Sequence, residues 1–302
     1  MKSNLLMRFL AFIVVTLTAG AQPTVLMNGA PTRVLGQAKA NVLTGGVNLV
    51  EGREFYNPQS IWVDVASATS ILYVADTRNN RVLAWKNSAS ANAGTPADLV
   101  IGQRDLQSTA PQGPDPSGSR LASGLNFPTA VITDAVGNLY VADSGNNRIL
   151  RFPKPFEQNA ELLQVDLVIG QRSINENLLN QGNGIQGMSE TSLFLAQPFG
   201  TFQRASLAFD LQRNLWVTDA QNHRVLRYSV AALTRGGFAP AADLVLGGTE
   251  FTSSVGRNTS PFVQDIATRK DFLWIPTGIG FDNRGRLFVR DWAPGFSRAA
   301  RA

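Results

Sequence analysis

Apolar and polar residues alternate through Leu139-Tyr140-Val141-Ala142, break at the polar run Asp143-Ser144-Gly145-Asn146-Asn147, and alternate again from Arg148 to Phe152. Successive strand side chains face opposite sides, so two alternating runs about a short polar turn predict a β-hairpin. The same pattern stands from Leu72 to Trp85 and from Leu215 to Tyr228, with an altered copy from Leu287 to Ala302. Such recurrence marks a repeat protein.

Two further strands recur around each hairpin. The apolar run Asp98-Leu99-Val100-Ile101-Gly102-Gln103 returns as Asp166–Gln171 and, varied, as Asp243–Gly248. An isolated relative, Thr32–Gln37, stands near the start. Before each hairpin a strand opens near a proline and closes at an aspartate: Pro58 to Asp64, Pro128 to Asp134 and Pro276 to Asp282. The third unit, Pro198 to Asp210, carries an insertion of six residues. Each unit therefore runs as four consecutive strands, a, b, c and d, with the hairpin supplying b and c.

Four antiparallel strands per repeat is the blade of a β-propeller, and a blade must stack on neighbours to bury its two faces. The expected fold class is all-β, a propeller with about four blades visible. The lone strand Thr32–Gln37 is expected to complete the last blade and hide an open edge. In the fourth copy, Arg298-Ala299-Ala300-Arg301-Ala302 replaces large residues with alanine and ends within strand c. That ending suggests a partial ring, since propellers carry 4 to 8 blades.

The first 21 residues differ from the rest. Lys2 and Arg8 precede the apolar run Phe9–Leu17, and Ala19-Gly20-Ala21 forms a small-x-small cleavage site. This pattern predicts a secretory signal peptide cut after Ala21, with residues 22–302 forming the propeller. The apolar run is too short to span a bilayer, which takes about 20 residues. The expected location is secreted or periplasmic, with no membrane anchor after cleavage. The mature chain would keep 25 basic residues against 22 acidic ones. No basic run accompanies that small surplus, which argues against a nucleic-acid partner. The chain has no cysteine and one histidine, His223, which excludes thiolate chemistry and most histidine-based metal or triad sites.

The hairpin turns repeat Asp-x-x-Asn-Asn/His-Arg, at Asp76–Arg81, Asp143–Arg148 and Asp219–Arg224. Aspartate accepts hydrogen bonds from turn amides, asparagine tolerates the left-handed conformation, and arginine can reach back to the aspartate. A catalytic constellation is singular, whereas these residues recur once per blade; they read as turn chemistry rather than a ring of site residues. His223 replaces Asn80 and Asn147 and reads as an exposed turn variant. No metal site and no cofactor are expected. Strand alternation puts the d–a loops and b–c turns on one face. The d–a loops are long and irregular, so binding is expected there, with Arg104, Arg172, Phe199, Phe251 and Trp274 as candidates.

The motif Leu-Tyr-Val-Ala-Asp-x-x-Asn-Asn-Arg-Val/Ile-Leu, preceded by a Pro-x-x-Val/Ile-x-x-Asp strand, resembles the NHL-repeat family of β-propellers. The added Asp-Leu-Val-Ile-Gly-Gln strand resembles exported bacterial members without an assigned role. Some relatives of that family are amidating lyases with histidine-bound zinc, a chemistry for which His223 alone provides no ligand set. Repetition without a singular catalytic cluster points to a non-catalytic scaffold that binds a protein, peptide or glycan through its long-loop face. The alternative the resemblance leaves open is a metal-dependent enzyme of lactonase or lyase type.

Overall fold

The computed structural model describes residues 33–37, 48–112, 123–195, 204–254, 273–293 and 296–301. The expected signal segment, Pro198 and Phe199 lie outside these residues. All described residues belong to one compact unit, Arg33–Ala302.

The structure is a set of propeller blades, as the repeats predict. The first blade is β1 (Ser60–Asp64), β2 (Ile71–Asp76), β3 (Arg81–Trp85) and β4 (Leu99–Ile101), paired in sequence order. The second is β5 (Pro128–Thr133), β6 (Leu139–Asp143), β7 (Arg148–Phe152) and β8 (Leu167–Ile169). The third contains β9 (Leu207–Phe209), β10 (Leu215–Asp219) and β11 (Arg224–Tyr228). A short helix α1 (Val230–Arg235) and the two-residue strand β12 (Gly237–Phe238) then precede its outer strand, β13 (Leu244–Leu246). The fourth has three strands among the described residues: β14 (Ile275–Phe281), β15 (Leu287–Ala293) and β16 (Phe296–Arg301). The alanine-rich copy still pairs along β16, because ladder hydrogen bonds come from the backbone.

The first strands lie side by side, β1 beside β5, β5 beside β9 and β9 beside β14, so they form the inner edges of the blades. Apolar side chains fill the spaces between sheets. Tyr73, Ala75 and Val82 of the first blade meet Val131, Val141 and Leu150 of the second. Tyr140, Ile149 and Ile169 of the second meet Leu207, Val217 and Tyr228 of the third. Trp216 and Val225 meet Leu287 and Val289 of the fourth. Burying each large apolar side chain contributes about 1.5–3 kcal/mol, which makes the blade stack the main source of stability. On the first blade, Ile61 and Val63 remain exposed.

Residues 33–37 of the lone strand Thr32–Gln37 lie beside the first blade. Residues 33–37 form no strand, and no hydrogen bond among the described residues joins them to β16. Gly36 instead makes a parallel bridge to Glu54, and Leu35 packs against Leu72, Leu83 and Trp85 of the first blade. The bridge from Gly170 to Ser192, between the end of β8 and the third blade, is the same contact one step on. The segment thus holds, beside the first blade, the place that the end of β8 holds beside the third.

The b–c turns explain why their sequence repeats. Each Asp closes its hairpin opposite the Arg, and both side chains are fully buried. Arg148 Nε donates to Asp143 Oδ2 at 2.7 Å, Asn146 Nδ2 donates to the same oxygen at 2.8 Å, and the Asn126 N–H donates to Oδ1 at 2.6 Å. Asp76 and Asp219 have the equivalent partners: Arg81, Asn79 and the Tyr56 N–H, and Arg224, Asn222 and the Phe194 N–H. Burial pushes the Asp143 carboxyl up, and Arg148 and the amide donors oppose that shift. The next residue, Asn80 or Asn147, has φ near +50° and is itself buried. Its Oδ1 accepts the N–H of Phe127 or Leu195 on the following blade. The turn therefore also fastens adjacent blades.

A second fastening links the second and third blades. β12 departs from the third blade and pairs in parallel with β8, adding a fifth strand to the second sheet. Gly236, between α1 and β12, has φ +68° and ψ −161°, a backbone region essentially confined to glycine. A Cβ there would stand 3.0 Å from the Asp166 carbonyl oxygen.

Two stability measurements follow from these contacts. Arg148→Met strands the Asp143 carboxylate in the interior and should cost about 3–5 kcal/mol in urea unfolding, with part recovered by adding Asp143→Leu. A loss of about 1 kcal/mol or less, the range of an exposed ion pair, would contradict burial. Gly236→Ala should cost about 1–3 kcal/mol. It should speed amide exchange at Gly237 and Ala239, whose N–H groups donate to Asp166 and Val168, more than in the β6–β7 hairpin.

Candidate functional site

The b–c turn residues leave no reactive group open. Besides its aspartate, each arginine donates to a carbonyl of the following d–a loop: Arg81 to Leu106, Arg148 to Ile174 and Arg224 to Phe251. Arg148 also donates to Gly124 at 2.9 Å, and Arg224 to Ser192 at 3.1 Å, in the loop before their own blades. One guanidinium thus pins the loops on both sides, so the first and last parts of the long loops belong to the scaffold.

That arrangement divides the residues expected to bind. Trp274 is half-buried; its N–H donates to the Asp291 carboxylate at 2.9 Å, and its ring lies 4.8 Å from that of His223. Phe251 is half-buried, with its carbonyl held by Arg224 and its ring against the core. Arg104 and Arg172 are exposed, at the loop starts after β4 and β8. Arg104 stands 3.8 Å from Glu161, and the Arg172 N–H donates to Glu176 at 3.0 Å. No hydrogen bond or ion pair joins Arg104 to Arg172, which sit on successive blades. His223 is corrected: it is not an exposed turn residue but half-buried, with Nδ1 against the Trp274 carbonyl. It takes the left-handed position of Asn147 and bridges to the next blade by its ring instead.

Gln103 and Gln171 acquire a role that the strand pattern did not reveal. Both side chains are buried. Gln171 Nε2 donates to the carbonyls of Asn147 and Leu178, and Gln103 Nε2 to those of Asn80 and Ala110. Each ties a b–c turn to the loop that follows. The preceding Gly170 has φ +94°, and a Cβ there would stand 2.7 Å from Leu193. The repeated Gly-Gln is therefore a closure device.

Two concave sites lie on the other face, formed by the a–b turns and c–d connections. The larger, about 480 Å³, opens between the second and third blades. Tyr140 and Phe209 meet edge to face at 5.4 Å on its floor, and Leu233 of α1 forms a wall. Val136 and Val230 are exposed at its margin. Arg151 is clamped by both oxygens of Asp166, at 2.7 and 2.9 Å. It donates to the Leu233 carbonyl at 2.8 Å and lies 5.9 Å from the Tyr140 ring centre. Burial works against its charge, but Asp166 and Tyr140 more than compensate, raising its pKa. Burial also raises the pKa of the Tyr140 hydroxyl, against the influence of Arg151, so it stays neutral. The cleft offers an apolar floor, a fixed cation behind it, and the polar groups of Asn138 and Arg213 at the rim. The smaller site, about 230 Å³, lies between the first two blades. The turn Asp134–Asn138 stands between the two.

No family model matches this sequence, and no curated protein does. Solved propeller structures share its architecture at low similarity. Virginiamycin B lyase from Staphylococcus aureus is 12% identical, with a TM-score of 0.35 over 84% of this chain and 71% of its own. The WD40 β-propeller domain of Doa1 is 8% identical, with a TM-score of 0.40 over 80% of this chain. An auxiliary nutrient binding protein from Bacteroides thetaiotaomicron is 11% identical, with a TM-score of 0.40 over 78% of this chain. The chain spans about half the length of the last two, 50% and 46%. It spans 45% of hydrazine synthase from Kuenenia stuttgartiensis, a further match. All that is shared at these identities is the stacking of four-stranded blades.

Proposed function

We propose that this chain is an exported, non-catalytic propeller of the NHL type that binds a protein or peptide partner. The observation that carries this reading is the cleft between the second and third blades. Its floor of Tyr140, Phe209 and Leu233 suits an aromatic or branched apolar side chain, and Asn138 and Arg213 can hydrogen-bond to the backbone around it. The clamped Arg151 and the β12 strap hold the walls in advance, which limits the ordering cost of binding. Apolar lining favours a peptide side chain over a glycan. Export rests on the pattern of residues 1–21. The metal-dependent alternative gains no supporting observation: no group of three or more His, Cys, Asp or Glu side chains among the described residues could hold a metal ion.

A displayed peptide library panned on the full chain tests this reading. Enriched peptides should share an aromatic or branched apolar residue. Thr234→Trp, placed at the cleft wall on an exposed helix position, should weaken them at least tenfold, about 1.4 kcal/mol, without lowering the melting temperature by more than a few degrees. Arg104→Ala with Arg172→Ala should leave them bound. The reverse outcome, sensitivity to the two arginines and indifference to Thr234→Trp, would move the seat to the long-loop face.

A further inference from the structure

The four a–b turns begin with an equivalent aspartate, and three of them use it fully. In the second blade Asp134 Oδ1 accepts the N–H groups of Val136 and Asn138, and Oδ2 accepts Asn138 Nδ2 at 2.8 Å. In the third, Asp210 Oδ2 accepts Asn214 Nδ2 and Trp216 Nε1, both at 2.9 Å. In the fourth, Asp282 Oδ2 accepts Arg286 Nε. The first blade differs. Its turn from Asp64 to Ile71 is three residues longer than that from Asp134 to Asn138, and Ile71 stands where the others have Asn or Arg. The Ser70 N–H is turned to the Ser67 carbonyl. Asp64 Oδ1 accepts the Ala66 N–H at 3.0 Å, and no hydrogen bond from the described residues reaches Oδ2.

Asp64 is only 4% exposed, and it lines the smaller cavity. Its Oδ2 faces Gly137 of the second blade, 3.7 Å from where a Cβ would stand. Tyr73, also buried, lies on the same floor, and its hydroxyl makes no hydrogen bond to the described residues. Burial first, and the Asp64 charge second, push its pKa up, so the hydroxyl stays neutral and can donate or accept. Ile71, Pro155 and Phe156 supply apolar walls. The lysine at the mouth, Lys154, is engaged by Glu157, at 3.0 and 3.2 Å, so the two cancel there. The cavity is left with one negative charge at its floor and one oxygen in need of a donor.

We propose that this cavity binds a primary ammonium on an aliphatic stem, supplied by a free amine or by a lysine side chain. The ammonium donates to Asp64 Oδ2 and to the Tyr73 hydroxyl, while the stem lies along Ile71 and Phe156. A charged donor suits this oxygen because it opens on the cavity and no described residue donates to it. One carboxylate and one phenol fall short of the oxygen set that a calcium or magnesium ion needs. The site is separate from the cleft between the second and third blades and does not depend on its occupant.

Titration calorimetry of the full chain with cadaverine and with acetyl-Gly-Lys-Gly-amide tests the proposal, with n-pentanol as the neutral control. At least one amine should saturate the wild type and n-pentanol should not. Asp64→Asn should weaken the amine at least tenfold, and Lys154→Met should preserve it. Binding of cadaverine alone identifies a free amine, and binding of the peptide alone a side chain. Ala66→Phe, which fills the cavity from an exposed turn, serves as a second blocking variant should Asp64→Asn fail to fold. Thr234→Trp should leave amine binding intact, which separates this site from the cleft. Absence of binding by both amines, or equal affinity in the wild type and the blocking variants, would overturn the proposal.

Discussion

A buried carboxylate has to be paired, and that requirement organises the first three blades of this protein. Asp76, Asp143 and Asp219 sit at full burial, where a lone charge would cost several kcal/mol. Each therefore demands a guanidinium, an asparagine amide and a loop N–H at fixed places. Meeting that demand fixes the hairpin turn, puts the residue before the arginine into the left-handed region, and leaves the guanidinium free to hold loop carbonyls, on both sides for Arg148 and Arg224. A ring of charges that could have suggested catalysis is thereby consumed in holding strands and loops together.

The same constraint accounts for the different character of the two faces. On the b–c side, aspartate, arginine, Asn80, Asn147 and the Gly-Gln closure interlock, so the loop residues they hold are committed to structure. The a–b turns carry less of this load. Their aspartates cap their own turns, and the turns vary in length without loosening the blades. Cavities form where neighbouring turns fail to fill the space between sheets, and both concave sites lie there. Helix α1, followed by the β12 strap, then adds a wall to the larger of them.

Much of the fold was legible because it is local. The period-two runs around Asp143–Arg148 give strands and a turn together, and Leu167–Ile169 emerged as the outer strand its apolar run predicted. The pairing of Arg148 with Asp143 was also readable from spacing. The site was less legible, because it is assembled across blades. Tyr140 and Phe209 are separate core positions in the sequence, and only stacking brings their rings together over Arg151. His223 looked like a tolerated turn substitution; its engagement with Trp274 depends on a residue 51 positions away. Gln171 read as the end of a strand, although its amide closes a turn and a loop at once. Asp64 was legible only as the end of the strand that opens at Pro58; its unused carboxylate oxygen became visible only beside the cavity.

The central claim, that the repeated Asp-x-x-Asn-Asn/His-Arg turns are enclosed scaffold rather than an open site, is tested most directly by hydrogen exchange at the arginine Nε–H groups. In a nitrogen-labelled sample, Arg81, Arg148 and Arg224 should retain these protons far longer than the exposed Arg104 and Arg172, with release approaching the rate of global unfolding. Exchange of Arg81, Arg148 and Arg224 as fast as that of Arg104 and Arg172 would contradict the account.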